Sequence, residues 1–63
     1  MTSADVIRAL RADGWRLKRV NGSHHIFGDH PTKAGIVVVP HPKKKLQVGL
    51  IKSIEAQAQL TLR

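Results

Sequence analysis

The sequence predicts a small α+β domain with the element order α-β-β-β-α, one layer of helix against one layer of sheet. Three observations predict it. Helical spacing of apolar residues is confined to the two ends of the chain, at Val6, Ile7 and Leu10 and again at Val48, Ile51, Ile54 and Ala58. Between them lie three short runs with strand character, the first two joined by Asn21-Gly22, a dipeptide typical of tight hairpin turns. With 63 residues there is room for one core, because a chain of this size buries only about 60% of its unfolded surface. Residues 1–63 are therefore expected to form a single domain.

Residues 2–12 read as the first helix. Thr2-Ser3-Ala4-Asp5 has the spacing of a capping box, and Asp5 also suits the positive end of the helix dipole. Asp13-Gly14 ends it, with Gly14 as the left-handed cap. Trp15–Val20 reads as the first strand. Simple alternation puts Trp15, Leu17 and Arg19 on one face and Arg16, Lys18 and Val20 on the other. Trp15, the only tryptophan, reads as a core anchor.

Ser23–Gly28 reads as the second strand. A two-residue Asn21-Gly22 turn pairs Val20 with Ser23, Arg19 with His24, Lys18 with His25 and Leu17 with Ile26. A longer loop would shift that register. Residues 29–35 are a polar connection punctuated by Pro31 and Gly35. Ile36–Val39 reads as a third strand, and its lack of alternation predicts a central place in the sheet or an interface on its second face. Pro40-His41-Pro42 stops it. Lys43-Lys44-Lys45 forms a basic loop, and Gln47–Gln59 a second helix burying Val48, Ile51, Ile54 and Ala58, flanked by Leu50.

Eleven Lys and Arg against four Asp and Glu give a net charge of +7. On so small a body this implies an anionic partner, and clustering of the cations favours nucleic acid. The absence of cysteine removes disulfides, thiol nucleophiles and thiolate metal sites, and fits the cytoplasm. No apolar run is long enough to span a membrane.

Histidine is then the one side chain type able to shuttle protons near neutral pH. His24 follows a stiff turn and lies near Lys18 and Arg19. RNA can be cleaved by its own 2′-hydroxyl attacking the adjacent phosphate, so a protein need supply only a proton acceptor, a proton donor and cations. His24 is the candidate for the proton transfers. Gly22 and Ser23 would set the turn, and Lys18, Arg19, His41, Lys43, Lys44 and Lys45 would contact the RNA. His24 and His25, adjacent on a strand, point to opposite faces and cannot share a metal. No metal or other cofactor is expected. A non-catalytic RNA-binding module reading A-form shape is the alternative, and a protein that binds only an acidic partner is a third.

These residues resemble the HicA family of toxins from HicA/HicB toxin–antitoxin pairs. The resemblance rests on Gly14-Trp15, Arg19, Gly22-Ser23-His24 with Phe27, Val39-Pro40-His41-Pro42, Leu46, Gly49 and the helix from Ile51 to Ala58. It implies a fold like a double-stranded-RNA-binding domain, a three-stranded antiparallel sheet with both helices on one face. It also implies metal-independent cleavage of mRNA by the histidine after Gly-Ser, which is His24. Finally it implies a HicB-type antitoxin that covers the active surface. The chain departs from the family's usual pattern at Leu50, at Gln59 and in the all-lysine loop, which are helix ends and surface charge.

Overall fold

The computed structural model describes all of residues 1–63, with element order α1 (Ser3–Asp13), β1 (Arg16–Asn21), β2 (His24–Gly28), β3 (Val37–Pro40) and α2 (Val48–Ala58). The three strands form one antiparallel sheet in the order β1-β2-β3. Both helices pack on one face of it.

The start of α1 is built as its sequence predicts. Thr2 Oγ1 accepts the Asp5 N–H at 3.0 Å, and Asp5 Oδ2 accepts the Thr2 N–H at 3.1 Å. Gly14 closes the helix at φ +116°, and its N–H returns to the Arg11 carbonyl. A Cβ there would also press to 3.1 Å from His30 Nε2 and the Pro31 ring, so the site requires glycine twice over. In α2, Gln47 is the N-cap and Gln59 the left-handed C-cap at φ +51°.

Val6, Leu10, Trp15, Phe27, Val37, Val39, Leu46, Ile51, Ile54 and Ala58 form the core. Val48 is not in it and stands 56% exposed. Leu46 and Ile51 occupy the two positions of a hydrophobic staple around the N-cap. Leu46, anchored by its N–H to the Met1 carbonyl at 3.0 Å, closes the start of the helix and leaves Val48 outside. Trp15 lies just before β1 and is buried, with the His30 ring tilted against it at 4.9 Å.

His30 organises the connection between β2 and β3. Its Nδ1 accepts the N–H groups of Thr32 and Lys33, both at 3.1 Å, so the ring proton sits on Nε2 and is donated to the Asp13 carbonyl at 2.7 Å. Lys33 Nζ bridges the Asp13 carboxylate and the Gln59 carbonyl, both at 2.7 Å. The ends of both helices and the connecting loop are thereby joined. The ammonium beside Asp13 holds its carboxyl below the usual carboxylate range.

Two strand expectations are corrected. The hairpin register pairs Asn21 with His24, Val20 with His25 and Arg19 with Ile26, then slips at a bulge so that Leu17 meets Phe27 and Arg16 meets Gly28. Arg19 is therefore not opposite His24, and Lys18 is not opposite His25. The turn is Gly22-Ser23, with positive φ at Gly22 alone, the pattern of a type II′ turn. The bulge at Lys18 lets Leu17 and Val20 both lie on the helix side with Phe27, which plain alternation forbids. The second correction concerns β3, which is an edge strand and not a central one. Its burial alternates although its chemistry does not: Val37 and Val39 are buried, Val38 and Pro40 half-buried.

Candidate functional site

The cross-strand pairs sort the side chains onto two faces. Phe27, Val37 and Val39 lie on the helix side, and with them Leu17, Val20 and His25. The other face carries no helix. There β1 presents Arg16, Arg19 and Asn21, β2 presents His24 and Ile26, and β3 presents Val38 and Pro40.

His24 stands in the first position of β2, between Asn21 of β1 and Pro40 of β3. It alone of the four histidines is exposed. Arg19 is its diagonal neighbour on the same face, a relationship that spans about 7–8 Å between backbones. One cation thus neighbours the imidazole along β1, Arg19; Arg16 lies on the same face but farther along, opposite Gly28 at the other end of β2. Arg16, which the bulge brings to this face, was not among the sequence candidates.

His25 points to the helix side, as the alternation of adjacent strand residues requires. Its ring meets His41 edge-on at 4.8 Å, and its Nδ1 is buried without a hydrogen-bond partner. His41 is half-buried and turned inward, with Nδ1 2.7 Å from Ser3 Oγ. Ser3, buried in the first turn of α1, also accepts the Lys43 N–H at 2.8 Å and lies 3.2 Å from the Lys43 carbonyl. Its hydroxyl can donate to His41, or accept from it while donating to Lys43. Ser3 is a residue that sequence reasoning missed, since only its place in the capping box was visible.

The hairpin turn and the basic loop are brought together by one backbone bond: the His41 N–H donates to the Ser23 carbonyl at 2.7 Å. Gly22, Ser23, His24 and His41 therefore share one end of the sheet, and the exposed Lys43, Lys44 and Lys45 continue from it. Lys18 is elsewhere. It occupies the bulge near Gly28, at the far end of β2, and its Nζ pairs with Asp29 Oδ2 at 2.5 Å. Four residue steps separate that end from His24, about 13 Å. No group of three or more His, Asp or Glu side chains is arranged to hold a metal ion. No helix is long and apolar enough to cross a membrane.

An exposed imidazole beside an arginine can exchange a proton with a bound ester while the cation holds its phosphate. The family described as HicA toxin of bacterial toxin-antitoxin matches residues 3–60. Among solved structures, the chain is similar to one from a HicA3 and HicB3 toxin-antitoxin complex, at 26% identity and a TM-score of 0.79, covering 100% of both chains. No curated protein sequence matches.

Proposed function

The chain belongs to the HicA toxin family of bacterial toxin–antitoxin systems, and from that premise we propose that it is a metal-independent endoribonuclease that cleaves mRNA and so stops translation. The observation that carries this reading is the position of His24: exposed, on the uncovered face of the sheet, diagonal to Arg19.

In the proposed reaction the neutral His24 imidazole takes the proton of an RNA 2′-hydroxyl. The 2′-oxygen attacks the adjacent phosphorus, and the bond to the 5′-oxygen of the next nucleotide breaks. The imidazolium returns its proton to that leaving oxygen, directly or through water. The products are a 2′,3′-cyclic phosphate and a 5′-hydroxyl, and the enzyme is unchanged. Arg19 holds the extra negative charge of the phosphorane, and Arg16 contacts the RNA backbone farther along the same face. Gly22 and Ser23 fix the turn that aims His24. Lys43, Lys44 and Lys45 extend the contact along the backbone, with Lys18 at the other end of β1 and His41 bracing the loop between them.

The proposed partner besides mRNA is a HicB-type antitoxin that covers His24 in the resting state, and the proposed location is the cytoplasm. Purified protein incubated with labelled mRNA in EDTA tests the reading. Cleavage by the wild type, lost in a folded His24→Ala variant, is expected. Cleavage that survives in that variant removes His24 from the mechanism, and binding without any cleavage makes the protein a non-catalytic RNA-binding module. Co-purification with the product of the neighbouring reading frame tests the antitoxin.

A further inference from the structure

We propose that the outer edge of β1 is a docking edge for an extended segment of a partner protein in which acidic and apolar residues alternate. The two edges of the sheet are built differently. On β3 the outward N–H of Val38 is bonded to Gln57 Oε1 of α2 at 3.0 Å, and Pro40 has no N–H. That edge offers no donor to another strand. On β1 all six residues are exposed and pair only with β2.

The register says which groups face outward. Asn21 and His24 flank a two-residue turn, so they form a hydrogen-bonded pair and so does Arg19 with Ile26. The N–H and C=O of Val20 between them point away from the sheet. A strand added here continues the sheet by one.

The side chains select the occupant. Leu17 and Val20, on the helix side of β1, are 37% and 52% exposed, and neither joins the hydrophobic core. Arg16 and Arg19 project from the opposite side. A matching strand presents apolar residues to Leu17 and Val20 and carboxylates to the two arginines, hence the alternation. A second copy of this chain is disfavoured, because its own β1 would set arginine against arginine in a body of charge +7. Nucleic acid is disfavoured because phosphates only accept hydrogen bonds and leave the outward carbonyls unmatched.

The test is an NMR titration of the labelled full chain with a capped Glu-Val-Glu-Val-Glu-Val peptide, against a Glu-Glu-Glu-Val-Val-Val peptide of equal composition. The alternating peptide alone is expected to bind, and at saturation to slow exchange of the Val20 amide by roughly tenfold while leaving Val38 unaffected. Val20→Pro removes the outward donor and should abolish binding. The paired reversal Arg16→Glu with Arg19→Glu leaves the backbone intact and should switch preference to a Lys-Val peptide, which keeps the test decisive if the proline variant does not fold. Equal binding of both peptides, or shifts confined to the uncovered face around His24, overturns the proposal. So does protection of Val20 by oligouridylate, which gives the edge to RNA, or self-association that Val20→Pro abolishes, which gives it to a second copy.

Discussion

Ser3 Oγ lies 2.7 Å from Nδ1 of His41, thirty-eight residues away in the chain, and both belong to the framework that holds the His24 turn. Ser3→Ala leaves the Lys43 N–H without its acceptor and His41 without its partner. A loss of about 1–3 kcal/mol of folding stability is expected, the usual cost of orphaning buried polar groups. Chemical denaturation of the two proteins measures it.

His24→Ala removes an exposed ring that packs against nothing in the core. Its thermal midpoint should stay close to wild type, while mRNA cleavage falls by about 10²–10⁴, the usual contribution of a general acid–base group. His25→Ala takes away a half-buried ring set edge-on against His41. It should lower the midpoint first, with a smaller effect on cleavage per folded molecule. Parallel melts and cleavage rates for the two variants separate the roles.

Gly22 and Gly49 both have open space where a Cβ would go. Only Gly22 has a positive φ, at +62°. Gly22→Ala should therefore destabilise by about 1–2 kcal/mol through backbone strain alone. Gly49→Ala, in the first turn of α2, should stabilise by up to about 1 kcal/mol because alanine has less backbone freedom to lose. Opposite signs in the same denaturation assay are the expected outcome.

Acid should weaken the fold through three carboxyls held below their ordinary range. Asp5 is lowered chiefly by the Thr2 N–H, Asp13 by the Lys33 ammonium, and Glu55 by the Leu62 N–H. A carboxyl with a depressed folded-state value contributes stability above its unfolded value, about 4. That contribution disappears as pH falls through the folded value. Thermal midpoints should be level above about pH 5 and drop below pH 4. In Asp13→Asn the drop should be shallower.

The capping box, Gly14 and the order of elements were legible in the sequence because each depends on neighbours within four residues. The hairpin register was not. Asn21-Gly22-Ser23 contains two overlapping turn signals, Asn-Gly for type I′ and Gly-Ser for type II′. Local preference does not choose between them. The strands pair through the Gly22-Ser23 turn with a bulge at Lys18, which puts Leu17 and Val20 on the side of the buried Phe27. The run of valines misled for a related reason. Val38 looks like a residue buried from both sides, yet β3 is terminated as an edge by the amide of Gln57, nineteen residues downstream. His24 was recognisable as the candidate from its turn. Arg19 was recognisable as its neighbour too, although the register makes it diagonal and not directly opposite, whereas Arg16 reaches that face only through the bulge.

The unequal settings of the four imidazoles have a consequence for covalent labelling. His30 has Nδ1 filled by two backbone amides, His41 is held by Ser3, and His25 lies edge-on to His41. An acylating reagent selective for histidine should consume His24 ahead of the other three. A single modified residue, located by mass spectrometry of a tryptic digest, would then report on that one ring, and its protection would footprint whatever macromolecule covers the sheet.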